Sequence, residues 1–137
     1  MRLVLDTNVL VAALIARGTC ADLLEHCVRH HVVVSSEWLL DELVKVLVRR
    51  FRQLDKDARA ARKLFHDRFT LVTPAPLDGP ASRDPDDDVV LATALSGDCV
   101  AIVTGDRDLL ALDPYRTVRV LSPSAFWKWE AENSRET

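Results

Sequence analysis

The residues best equipped for chemistry in this chain are carboxylates, and they are unevenly placed. Asp6 closes the run Leu3-Val4-Leu5, and Asp106 follows Ile102-Val103-Thr104-Gly105. Between them Asp84, Asp86, Asp87 and Asp88 crowd into five positions, and Glu42 stands in an apolar stretch. No histidine or cysteine lies among these acids. Oxygen-only donors suit Mg2+ or Mn2+ rather than Zn2+. Carboxylates gathered in one pocket raise each other's pKa, so a shared site calls for a cation. The chemistry such a set supports is metal-assisted hydrolysis of a phosphodiester, in which one or two ions orient and deprotonate water and stabilise charge on the scissile phosphate.

A basic segment complements the acids. Lys45 to Arg68 carries nine basic residues against three acids, although the whole chain has a net charge of −3. A polyanion held near the acids would have to be attracted by that segment, with Arg49 and Arg50 as the expected phosphate contacts beside Arg52, Arg59 and Arg62. A solvated helix face is the simpler account of the same charges.

Whether the acids meet depends on the elements that carry them. The 137 residues, 48% hydrophobic and 28% charged, are those of one folded domain spanning 1–137, and exclude a disordered chain. Short β-branched runs alternate with helical stretches, which predicts an α/β fold with a mostly parallel central sheet of about five strands flanked by helices. The expected strands are 3–5, 31–34, 69–73, 100–103 and 118–121. The expected helices are 8–15, 21–29, 36–50 with Ser35-Ser36 as its cap, 55–67 and 86–96, then a helical turn at 108–112 and a last helix over 122–133. Four prolines and a glycine make 74–85 a loop. No apolar run approaches the roughly 18 residues of a membrane span. Cys20, Cys27 and Cys99 lack C-x-x-C spacing, which favours reduced thiols and a cytoplasmic protein.

In open parallel sheets ligands bind beyond the carboxyl ends of the strands. Asp6, Ser35-Ser36 and Thr104-Gly105-Asp106 all fall there. At about 100° per residue, Asp87 projects within roughly 10° of the apolar stripe of its helix, whereas Asp86 and Asp88 fall roughly 90–110° to either side. Asp84 followed by Pro85 reads as an N-cap with Pro at the first helical position. Glu42 lies roughly 60° from its stripe's centre, with Asp41 turned away, and a salt bridge to Lys45 one turn on is the alternative to a site role.

Three segments resemble motifs of the PIN-domain family, in the same order. They are Leu3-Val4-Leu5-Asp6-Thr7-Asn8-Val9-Leu10, then Asp87-Asp88-Val89-Val90-Leu91-Ala92-Thr93-Ala94-Leu95, then Ile102-Val103-Thr104-Gly105-Asp106-Arg107-Asp108-Leu109-Leu110. The chain is similar above all to the small VapC-like ribonucleases, the toxin components of toxin–antitoxin pairs. The resemblance implies a three-layer PIN-like fold and a Mg2+- or Mn2+-dependent endoribonuclease. It implies Asp6, Glu42, Asp87 and Asp106 as catalytic metal ligands, with Thr7 or Asn8, and Thr104, lining the site. Asp84 and Asp88 stand as alternatives to Asp87, and Asp108 to Asp106. The implied partners are an RNA substrate, a cognate antitoxin and a second copy in a homodimer. A catalytically silent PIN-like module that binds RNA or protein is the alternative, and the presence of all four acids counts against it.

The remaining polar and aromatic residues read as structural. His26, His30, His31 and His66 show no ligand spacing with the acids and are expected at the surface or at strand ends. Trp127 and Trp129, two apart on the last helix, are expected to divide, one packed and one exposed.

Overall fold

In the computed structural model, which describes residues 1–134, five strands form one sheet in the order β3-β2-β1-β4-β5 with every neighbouring pair parallel. The strands are β1 (Arg2–Leu5), β2 (Val32–Ser35), β3 (Thr70–Leu71), β4 (Ala101–Val103) and β5 (Arg119–Leu121). Seven helices flank them: α1 (Thr7–Ile15), α2 (Thr19–His30), α3 (Glu37–Arg49), α4 (Asp55–Arg68), α5 (Pro85–Ser96), α6 (Arg107–Leu110) and α7 (Pro123–Ser134). The expected α/β class is therefore the observed one.

Alternation along the strands builds the layers. Leu3, Leu5, Val33, Ala101, Val103 and Leu121 face one side, where they meet Val9 and Leu10 of α1, Leu23 of α2, Leu40, Leu43 and Leu47 of α3, Phe65 of α4 and Phe126 of α7. Val4, Val34, Ile102 and Val120 face the other side, against Val90, Leu91 and Ala94 of α5 and Leu109 of α6. Both faces of each inner strand are buried, so β1 and β4 read as continuous apolar runs rather than alternating ones.

Caps set the helix starts. Ser36 caps α3 as expected: its hydroxyl accepts from the Leu39 N–H at 3.3 Å, and the helix itself begins at Glu37. Asp84 caps α5 by accepting from the Asp86 N–H at 2.9 Å, with Pro85 in the first turn as expected. β3 is only two residues long. It is an edge strand whose pairing ends after the Val72 N–H reaches the Ser35 carbonyl, shortly before Pro74 removes a donor. Trp127 and Trp129 do not divide; both are half-buried, with rings about 6 Å from that of Phe126. Among the described residues no single helix is long and apolar enough to cross a membrane. All three cysteines are free, and burial pushes the Cys27 and Cys99 thiols up to about 12.

Gly97 ends α5 against the sheet. A Cβ there would lie 2.6 Å from Val34 Cγ1, 3.2 Å from the Thr93 carbonyl and 3.3 Å from Cys99 Sγ. Gly97→Ala is expected to overpack this corner and cost about 1–3 kcal/mol, read as a lowered urea midpoint with an unchanged m-value.

Candidate functional site

β1 and β4 are neighbours, yet the chain leaves β1 toward β2 and reaches β4 only later, so the strand order reverses between them. In a parallel sheet such a reversal opens a crevice beyond the carboxyl ends of the two strands. Asp6 and the segment Thr104–Asp106 sit at its two lips.

Asp6 is 7% exposed and is the N-cap of α1. Its Oδ1 accepts from the Thr7 N–H at 2.8 Å, and its Oδ2 accepts from the Thr104 hydroxyl at 2.7 Å and the Asn8 amide at 3.1 Å. The Thr104 Oγ1 in turn accepts from the Asp106 N–H at 3.0 Å, and the Gly105 N–H donates to Asn8 Oδ1 at 3.1 Å. Asp106 caps α6 by accepting from the Asp108 N–H at 2.8 Å. Burial raises the Asp6 pKa, the Thr104 and Thr7 donors pull it back, and the Asp106 charge raises it again. The net direction is upward.

Asp87 enters from α5, 6% exposed and pointing at the crevice as the helix projection required. Its Oδ2 accepts from the Ser82 hydroxyl at 3.0 Å. Burial pushes its pKa up to about 6 against the Ser82 hydrogen bond, and the charges of Asp106, Asp84 and Asp6 add to the rise. Asp88 is turned away and accepts from the backbone N–H groups of Ala81 and Ser82, fastening the proline-rich loop. Asp84 serves as a cap. Neither Asp84 nor Asp88 lines the cleft that Asp87 enters.

Asp6, Thr7, Asn8, Glu42, Asp86, Asp87 and Asp106 line one cleft of about 170 Å³, closed on the α3 side by Trp38, Leu39, Val46 and Arg50. Glu42 reaches this cleft and also pairs with Lys45 at 3.4 Å, so both alternatives for it hold together. Carboxylate oxygens of Asp87, Asp106 and Asp108 lie within 4.8 Å of one another. Asp108 is also paired with Arg83 at 3.1 Å.

Several expectations need correction. Thr104 has no exposure and does not line the cleft; it lies beneath Asp6 and orients it. Arg50 reaches the cleft, whereas Arg49, one residue and about 100° earlier on the helix, does not. Arg59 and Arg62 do not line the cleft. Arg59 pairs with Asp55 at 2.7 Å, and Arg62 bridges α4 to Glu37 and Asp41 of α3. Asp86 does line the cleft rim, opposite Glu42, because the rim is open enough for a side chain at the edge of the buried arc. Ser82 left no sequence signal, since nothing in a proline-rich loop predicts which hydroxyl folds back onto α5.

With this geometry in place, comparison with known proteins becomes specific. The sequence matches the PIN domain family over residues 2–108, and the chain belongs to that family. Among curated proteins no match is found. Among solved structures, VapBC2 from Rickettsia felis, bound to a DNA fragment from its promoter, superposes with a TM-score of 0.62 at 14% identity. That match covers 88% of this chain and 97% of the other, and the likeness is one of fold.

The upward shift of Asp87 has a thermodynamic consequence. Its folded pKa of about 6 exceeds the reference 3.8, so the stability linked to its protonation is full below pH 3.8 and lost as pH rises through 6. In metal-free buffer, Asp87→Asn is expected to remove a rise in melting temperature that wild type shows on acidification from about pH 7.5 to about pH 5. Calorimetry of both proteins in chelator checks this.

Proposed function

We propose that this protein is a Mg2+- or Mn2+-dependent endoribonuclease and the toxin of a toxin–antitoxin pair. The observation that carries the reading is the convergence of two buried, mutually repelling carboxylates, Asp6 and Asp87, with Asp106 in a cleft of a PIN-domain chain. The donor set fits a hard divalent cation. It is all oxygen; burial first, and the neighbouring acids second, raise Asp6 and Asp87, and a bound cation would favour their charged forms against both. Asp6, Asp87 and Asp106 would hold the ion, with Asp108 beside Asp106 and Glu42 on the facing wall of the same cleft. When bound, it supplies an activated water and charge stabilisation at the phosphate.

The chain's own groups do the positioning. Thr104, Thr7 and Asn8 fix both oxygens of Asp6, and Ser82 fixes Asp87. The Trp38–Val46 wall excludes solvent from one side of the cleft. Arg50 offers a guanidinium at the cleft edge, suited to a substrate phosphate. Family membership supports RNA as the substrate. The fold likeness to VapBC2, a complex whose DNA is its promoter, supports an antitoxin partner. The thiols, all free, fit a reducing cytoplasm.

Asp6→Asn tests the site. The amide keeps the size of Asp6 and, through its Oδ1, the cap on the Thr7 N–H, while its NH2 faces the Thr104 and Asn8 donors that Oδ2 accepted from. That loss is set against relief of burying a charge, so the protein is expected to stay folded, with a melting temperature in chelator within a few degrees of wild type. Cleavage of a generic RNA with Mg2+ is expected to fall by about 100-fold or more. A folded Asp6→Asn protein with full activity overturns the reading. Wild type that binds RNA without cutting it at any Mg2+ or Mn2+ concentration leaves the silent module in its place.

Arg50 and Arg49 separate binding from chemistry. Arg50→Gln is expected to raise KM at little cost to kcat and to make the log–log salt slope of RNA binding shallower by about 0.7. Arg49→Gln is expected to leave that slope unchanged, and filter binding across a salt series checks both.

A further inference from the structure

Two of the histidines expected at the surface or at strand ends share a carboxylate. His26 on α2, His31 just before β2 and Glu130 on α7 converge at one point, with His31 Nε2 2.5 Å and His26 Nε2 2.6 Å from the same oxygen, Glu130 Oε2. The side chains of His31 and Glu130 are 8% and 13% exposed, and that of His26 is 27% exposed, which leaves one open side. Aromatic rings wall the rest. Phe126 stands edge-on to His31 with centroids 6.1 Å apart, and Trp127 lies 4.7 Å from His26. His31 precedes β2, so the cluster sits at the amino-terminal edge of the sheet, opposite the acidic cleft.

We propose that His26, His31 and Glu130 form a second metal site that takes Zn2+ and clamps α7 to α2 and the sheet. Two imidazole nitrogens and one carboxylate oxygen are a borderline donor set, matched to zinc and poorly matched to Mg2+. Three protein ligands leave the fourth tetrahedral position to water, on the open side at His26. Bonds of about 2.0–2.2 Å place tetrahedral donors about 3.3 Å apart, so the ion needs each ring to withdraw by under about 1 Å from its present contact. With Nε2 on the ion, each neutral ring carries its proton on Nδ1; at His31 that nitrogen now lies 3.1 Å from the Met1 amino group, which must turn aside to water.

The site is independent of the proposed nuclease cleft, and the test keeps the two apart. Zn2+ is titrated into the full chain under millimolar Mg2+, with a chromophoric chelator as competitor and melting temperature as second readout. Wild type is expected to bind one Zn2+ and to gain about 5 °C or more at saturation. His26→Gln and Glu130→Gln each keep a polar side chain on a part-exposed position and are expected to weaken that binding at least about tenfold. Asp87→Asn is expected to retain it. Equal Zn2+ affinity in wild type and both cluster variants, or its loss in Asp87→Asn alone, overturns the proposal and reduces the cluster to a hydrogen-bonded tie.

Discussion

One hydrogen bond organises the carboxyl edge of the sheet: the Thr104 hydroxyl, at the end of β4, donates to Asp6 Oδ2, at the end of β1. Both residues are buried, so neither can turn to water for a partner. The same Thr104 oxygen accepts from the Asp106 N–H, which ties the start of α6 to the crevice. Asn8 closes the loop by donating to Asp6 and accepting from Gly105. Two strands far apart in sequence thereby present their acids in fixed geometry, and the carboxylate that burial disfavours is held by three donors.

The walls of the cleft follow from the same economy of caps. Asp6, Asp84 and Asp106 begin α1, α5 and α6, so the acidic edge is also where helices start. A carboxylate at a helix N-terminus is favoured by the helix dipole, which offsets part of the repulsion among the acids. What the caps leave over is Asp87. It makes no cap hydrogen bond, is buried, and faces Asp6 and Asp106 with only Ser82 as a donor.

Charge on the opposite side of the cleft is less abundant than the count of arginines implies. The α3–α4 pair consumes Arg62 in its own interface, and Arg59 and Lys63 in pairs one turn away on α4. Among the described residues Arg49, Arg50, Arg52, Lys56 and Arg68 make no ion pair, and of these only Arg50 lines the cleft. Positive charge at the cleft itself therefore comes from Arg50 rather than from the segment as a whole. The sheet's other edge carries softer donors, so hard and borderline ligand chemistry stand at opposite ends of the same strands.

The strands, the helices and the inward aim of Asp87 were legible in the sequence because each depends on residues within a turn or two. β-branched runs buried on both faces, Pro85 after Asp84, and the 3.6-residue period of α5 are local signals. The acids Asp6, Glu42, Asp87 and Asp106 could be chosen for the same reason, since strand ends and helix faces are read from spacing. Tertiary structure alone decided how the side chains were spent. Thr104 went beneath Asp6 because β4 pairs with β1, a contact between residues 98 positions apart. Arg62 was taken by Glu37 and Asp41 because α4 packs on α3, and Ser82 met Asp87 because a loop without periodicity folds back. His26 and His31 met Glu130 because α7 returns to lie on α2, a pairing roughly a hundred residues long that no local pattern encodes.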